Sequence, residues 1–366
     1  MQKLLINLKK LSVGQFILSH TFITQEVEFL KKIINNPMNF VSETLEGIIL
    51  AHGDQLQFVK EDRNGLVRAD ARTSDKVAIV TGGGSGHLPV FLGYVGKGLA
   101  DGVAVGNVFT SPSADTIYNV AKELNGENGL LFLYGNYFGD GMNFDVAAEM
   151  LEENDIYVES VRVSDDVASA PRSDWKKRRG VAGIFFAYKI TGAFSETSQP
   201  LKEVKRIAEK TAENLATMGV ALSSCTLPAS GEPNFQIGEN EMEIGMGIHG
   251  EPGIFRAPLR TANEITTEIL DRLMADLSLH KDDEVAVLVN GSGSTPLEEL
   301  YIVAREVHHY LEKQTIGIYK TYVGEYATSL DMAGCSITLL KLDDELKLYL
   351  DAEADSPFFK QIGRSK

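Results

Sequence analysis

The chain is nearly without cysteine. Among 366 residues only Cys225 and Cys335 are cysteines, so neither a disulfide framework nor a cysteine-rich zinc site can be built. That usage suits a reducing compartment, and a soluble cytoplasmic protein is expected. Long apolar runs are also missing. No stretch approaches the ~20 residues that span a bilayer as a helix, so no membrane-embedded segment is expected. Positive charge is in deficit: 35 Lys and Arg against 51 Asp and Glu leave −16 at pH 7. Phosphate backbones are bound by positive fields, so direct contact with nucleic acid is not expected. The start of the chain is basic and carries a broken apolar run. Gln15, Ser19 and His20 interrupt it, no small-residue cleavage site follows, and Glu26 and Glu28 come next; it does not read as a secretion leader.

Glycine is what the sequence has in surplus, 34 residues against a usual share of ~7 %. From Lys31 onward, short apolar runs bounded by turn residues alternate with helical patterns. KVAIVT (76–81), GLLFLY (129–134) and IYVESVRV (156–163) read as strands, with helices over 114–124 and 145–153. A helical pattern runs from Leu201 to about Met218, after which EVAVLVN (284–290), TIGIYK (315–320), SITLLK (336–341) and LKLYLD (346–351) continue the strands, with a helix opening at Pro296. This predicts an α/β protein of two α/β domains, each a mixed or mostly parallel sheet flanked by helices. The expected division is 31–220 and 221–366, with residues 1–30 an extension outside the fold.

In such sheets ligands bind in loops beyond the carboxyl ends of strands, where the glycine clusters fall. TGGGSGHLP (81–89) follows a strand and exposes bare backbone N–H groups, yet it is neither G-x-G-x-x-G nor a Walker A loop. His87 at its end is a candidate base or hydrogen-bonding group, or simply a helix cap. Asp140 in GNYFGDGMNF (135–144) is a candidate acceptor for a hydroxyl, although Gly-Asp-Gly is also turn chemistry. His249 in EMEIGMGIHGEPG (241–253) can serve as nucleophile or ligand. These three residues lack the local spacing of metal ligands, so no metal is expected. FTSPSADTIY (109–118) reads as a helix start behind Pro112 and Ser113. RSDWKKRRG (172–180) is the one basic cluster, either a docking patch or a solvated loop. His20, His52, His280, His308 and His309 read as surface residues.

Taken together, KKIINNP (31–37), SETLEG (42–47), KVAIVTGGGSGHLPV (76–90), NVFTSPSADTI (107–117), GNYFGDGMNF, SDDVAS (164–169), RRGVAG (178–183), SSCTLPA (223–229), NEMEIGMGIHGEPG (240–253), NGSGSTPLEELY (290–301) and YATSLDMAGCSITLLKLDDEL (326–346) resemble the dihydroxyacetone-binding DhaK subunit of dihydroxyacetone kinases. GIHGEPG and TSLDMAG are the most specific of these. The resemblance implies a homodimer with no cofactor in this chain, nucleotide and magnesium being carried by a partner subunit. It implies that His249 adds to the ketone carbonyl to form a hemiaminal, that His87 and Asp140 form the general-base pair, and that Gly83, Gly84 and Ser111 line the substrate pocket. Covalent addition also explains why glycerol, which has no carbonyl, would be rejected.

Four positions depart from the family pattern. Leu88 stands where a glutamate is expected, Asn107 replaces another glutamate, Gly135 replaces a substrate-holding lysine, and Phe138 replaces a small hydroxyl residue. This combination resembles the DhaQ-type paralogue, a non-kinase relative from operons of Gram-positive bacteria that pairs with a TetR-family regulator. The sequence therefore implies a dihydroxyacetone sensor and coactivator, with an active kinase subunit as the alternative. Family members begin with Met ahead of a Lys-Lys-Ile-Ile-like segment, so Leu30 is the expected initiator position.

Overall fold

Apolar runs between turn residues become strands largely where the sequence places them. A computed structural model describes residues 30–70 and 75–363; the expectations for residues 1–29 lie outside these. The chain divides into two units, Met1–Ile33 and Ile34–Lys366, and the helices and strands of the described residues belong to the second.

That unit opens with helix α1 (Phe40–His52) and builds a first sheet from β1 (Leu56–Val59), β2 (Asp62–Arg68), β3 (Ala78–Ser85), β4 (Gly102–Val108), β5 (Leu130–Gly135) and β6 (Val158–Val163). Its order is β1-β2-β4-β3-β5-β6. The four strands β4, β3, β5 and β6 run parallel, and β1 and β2 complete one edge antiparallel. Helix α2 (Ala114–Leu124) starts where expected, with Ser113 as its cap: the Ser113 hydroxyl accepts the Thr116 N–H at 3.1 Å. Helix α3 (Phe138–Glu152) starts seven residues ahead of the predicted Asp145, so Asp140 lies in a helical first turn and not in a loop. Its glycines serve close approach: a Cβ at Gly139 would stand 2.7 Å from Ser111 Oγ.

After α4 (Ile184–Ser195) and α5 (Leu201–Glu213), a second sheet is built from β7 (Leu215–Ala221), β8 (Glu241–Ile244), β9 (Phe255–Pro258), β10 (Glu284–Gly291), β11 (Gly317–Gly324) and β12 (Gly334–Leu342), in the order β11-β10-β12-β7-β8-β9. Only β10 and β11 pair in parallel. Helices α6 (Ala262–Leu277), α7 (Leu297–Lys313) and α8 (Asp344–Leu350) and the hairpin β13 (Ala354–Ser356) and β14 (Phe359–Gln361) complete the unit.

Three expectations are corrected. The helix from Leu201 stops at Glu213, and Leu215 to Ala221 is β7, so residue 220 falls inside a strand of the second sheet. LKLYLD is the end of α8: Asp343 accepts the Leu346 N–H at 2.9 Å, and Leu346 and Leu350 share its buried face. The basic cluster is not simply a solvated loop. Arg178 is buried, pairing through both terminal nitrogens with Asp276, and Arg179 binds Asp166.

Three apolar clusters stack the layers. Helices α2 and α3 cover one face of the first sheet, with Ile117, Val120, Phe144 and Ala147 against Val80 and Phe132. Helices α6 and α7 cover the outer face of the second. The central cluster joins Ile79 and Leu131 of one sheet to Leu288 and Leu340 of the other through α4 and α5. All twelve residues of α4 are buried, including Lys189, which donates to the Tyr349 carbonyl at 2.8 Å, and Ser195, which donates to the Val77 carbonyl at 2.5 Å.

Candidate functional site

The glycine loop leaves β3 and crosses to the second sheet. Gly86 takes φ +100°, a backbone region that favours glycine. Its carbonyl accepts the Leu330 N–H at 2.8 Å, and the His87 carbonyl accepts the Thr328 N–H at 3.2 Å. The loop is thus strapped to the T-S-L segment between β11 and β12. His87 is fully buried, and its Nδ1 lies 2.8 Å from the Thr328 carbonyl. A carbonyl only accepts, so Nδ1 carries the proton and Nε2 keeps a free lone pair. Burial, helped by the neighbouring His249, pushes the imidazole down to about 3, so it stays neutral at physiological pH. His87 therefore does not cap a helix.

His249 comes from the loop between β8 and β9. Gly250 takes φ +85° and has no room for a side chain, since a Cβ would stand 2.6 Å from Asn234 Nδ2. Asn234 in turn donates to the His249 carbonyl at 3.1 Å. Glu251 fixes the ring: one carboxylate oxygen lies 2.9 Å from Nδ1 and the other accepts the His249 backbone N–H at 3.0 Å. Burial alone would raise the Glu251 carboxyl, but the bond to His249 and the Arg179 charge hold it at about 2. A carboxylate only accepts, so Nδ1 of His249 carries a proton toward Glu251 and the ring's orientation is fixed. Aromatic rings close around it. His87 and Tyr137 both meet the His249 ring edge-on at 4.7 Å, while Phe109 stacks on His87 at 4.8 Å.

Asp140 completes the cluster from α3. Burial raises its carboxyl, against the Ser111 hydroxyl bond and the attraction of His249. Three buried side-chain polar atoms without a hydrogen-bond partner, His87 Nε2, Tyr137 Oη and Asp140 Oδ1, belong to this cluster. Buried polar groups are otherwise almost always satisfied. The arrangement gathers an oriented imidazole and several unpartnered polar atoms in one buried cluster. Gly84 also lies here, its absent Cβ allowing the Thr110 N–H within 2.7 Å of where it would stand.

The Dak1 domain model matches residues 46–358. The chain belongs to the Dak1 family. A relative in Listeria innocua, the dihydroxyacetone-binding subunit DhaK of PTS-dependent dihydroxyacetone kinase 2, is 44 % identical over 331 residues, covering 90 % of this chain and 99 % of that protein. Among solved structures, the dihydroxyacetone kinase of C. freundii superposes with a TM-score of 0.84 at 32 % identity, covering 92 % of this chain and 62 % of that one. The dihydroxyacetone kinase operon co-activator Dha-DhaQ superposes with a TM-score of 0.79 at 30 % identity, covering 85 % and 96 %.

In this Dak1 domain the four departures from the family pattern take different surroundings. Leu88 is half-buried against the central apolar cluster. Asn107 is exposed, and Gly135 is buried at the end of β5. Phe138 is 85 % exposed at the start of α3. His52 is half-buried, while His280, His308 and His309 are exposed; His20 lies outside the described residues. Sequence reasoning passed over Tyr137, Phe109, Glu251 and Thr328. For Glu251 a signal existed, a carboxylate two residues beyond the candidate nucleophile. Thr328 sits 241 residues from His87, so only the fold could reveal that pairing. Among the described residues no group of three or more His, Cys, Asp or Glu side chains is arranged to hold a metal ion, and no helix is long and apolar enough to cross a membrane.

Proposed function

We propose that this chain captures dihydroxyacetone as a hemiaminal on His249 and works through that binding, as a cytoplasmic sensor and coactivator for a TetR-family DNA-binding partner. The observation that carries the binding step is the trio of unpartnered buried atoms around a nucleophilic imidazole. His249 Nε2 bonds to the carbonyl carbon, and the C=O electron pair moves to oxygen. The Nδ1 proton is given up as the oxygen gains one, so no atom leaves. Glu251 holds the ring and offsets the charge that develops on it. His87 Nε2 accepts a substrate hydroxyl, and Asp140 and Ser111 serve the other end, while Gly83 and Gly84 allow close backbone approach. Binding as a homodimer subunit needs no cofactor in this chain.

The coactivator role is supported by what stands at the departures. Gly135 brings no ammonium and Leu88 no carboxylate to aid phosphoryl transfer. Phe138, Met142 and Val146 form an exposed apolar row four residues apart on α3, a feature of protein-contact surfaces. The regulator would supply the DNA contact that a net charge of −16 disfavours.

A second reading is favoured by the 44 % identity to a kinase subunit: His87 and Asp140 remain to deprotonate a substrate hydroxyl while a nucleotide- or phosphotransferase-linked partner subunit delivers phosphate. Reconstitution separates the two. The purified chain is mixed with a nucleotide-carrying subunit and its donor, and phosphate transfer to dihydroxyacetone is measured. Retained binding without turnover supports the sensor; turnover matching a kinase subunit overturns it. Equal ketone affinity in His249→Ala would overturn covalent capture itself.

A further inference from the structure

A cavity of about 220 Å³ lies between α1 and the glycine loop. Leu45 and Ile48 of α1, Val103 and Val105 of β4, and Leu88 and Phe91 beyond the loop form its walls, with the backbone of Gly83 to Gly86 along one side. His87 lines it, whereas His249, Tyr137, Asp140 and Ser111 do not. The cavity therefore shares Gly83, Gly84 and His87 with the ketone-binding cluster but none of its other named side chains. The wall is smooth where the loop has no side chain: a Cβ at Gly83 would stand 2.0 Å from the Phe91 ring.

Apart from His87 Nε2, which has no partner, the side-chain polar groups around it are engaged within the protein. The Thr44 hydroxyl donates to the Phe40 carbonyl at 2.6 Å, the Ser85 hydroxyl to the Gly106 carbonyl at 2.8 Å, and the Thr328 hydroxyl to the Leu88 carbonyl at 3.0 Å. Among the described residues no Lys, Arg, Asp or Glu side chain lines the space. A charged ligand would shed water here and find no opposite charge, and among the lining side chains only the uncharged His87 Nε2 stands without a partner. An uncharged apolar ligand meets a wall made mostly of Leu, Ile, Val and Phe side chains. A cavity of roughly 150 Å³ lined by Leu, Ile and Phe stays dry and accepts a benzene ring, so this larger one admits a ring with a short substituent.

We propose that this cavity is a second ligand site, for a small uncharged apolar molecule of single-ring size, independent of ketone capture at His249. Fluorobenzene is the probe, followed by fluorine NMR line broadening on the full chain. Saturable binding is expected in the wild type and in His249→Ala. Two variants act on the space itself: Thr44→Phe fills it, and Leu88→Glu puts a carboxylate in its wall. Each is expected to weaken fluorobenzene at least about tenfold, with circular dichroism confirming that each is folded. Absence of saturable binding in the wild type, loss of binding in His249→Ala, or unchanged affinity in a folded cavity variant would overturn the proposal.

Discussion

Burial of His87 has a consequence that can be measured far from any ligand. The folded protein holds this imidazole at about 3, whereas an unfolded chain protonates it below about 6.5. Between those values the unfolded state binds the extra proton, so folded stability falls as pH falls through the window. Each pH unit of difference corresponds to about 1.4 kcal/mol. The His87 contribution lost between pH 8 and pH 5 is then about 2 kcal/mol, rising to about 4 kcal/mol at pH 3. In His87→Gln that titration is gone while every other group remains. The stability gap between wild type and variant, from urea unfolding, should therefore shrink by about 2 kcal/mol on going from pH 8 to pH 5. Histidine-ring NMR should show His87 as the neutral Nδ1–H form at pH 5. A gap that does not change with pH, or a His87 ring titrating near its ordinary value, would refute the reasoning.

Glu251→Gln replaces an acceptor-only group with an amide that can turn a donor toward Nδ1, moving the ring proton to the nucleophilic nitrogen. Dihydroxyacetone affinity, measured by calorimetry, should fall about 10- to 100-fold, and Glu251→Asp should recover part of it; an unchanged affinity would remove Glu251 from the site. Gly106→Ala would place a Cβ 1.9 Å from the Thr110 carbonyl oxygen and 2.8 Å from Pro112 N, atoms of the backbone that cannot swing aside. A loss of about 1–3 kcal/mol in denaturant unfolding is expected, and a wild-type midpoint would contradict the geometry. Arg178→Ala leaves Asp276 without its buried partner and should cost about 3–5 kcal/mol. The double variant Arg178→Met with Asp276→Leu should regain most of that, and failure to do so would show that the pair does more than satisfy its own charges.

The sequence revealed most where local chemistry decides. Strand β10, the cap at Ser113 and the glycine loops at strand ends all follow from patterns within ten residues. Reading failed where two periods overlap. Leu346, Leu348 and Leu350 alternate like a strand, yet Leu348 is 52 % exposed and the other two are buried four apart on a helix; the Asp343 cap was the overlooked sign. Leu215 extends the apolar period of α5 although it begins a strand, so the helix was drawn too long. In the cluster itself the two histidines and Asp140 stood out because glycines surround them. Tyr137 and Thr328 did not, because a buried hydroxyl without a partner and a carbonyl fixing a tautomer arise only from tertiary packing.

Helix α4 sets a limit on how capture could be communicated. Tyr188 is hydrogen-bonded to Thr81 of the first sheet at 2.6 Å, and Phe185 meets Tyr322 of the second at 5.1 Å. A helix clamped on both sides leaves no cleft that could swing shut, since a hinge would have to expose the whole of it to water. Under the proposed sensor role, a message from the bound ketone would travel as a change in the loops at the rim, read by whatever rests there, with the two sheets acting as a fixed frame.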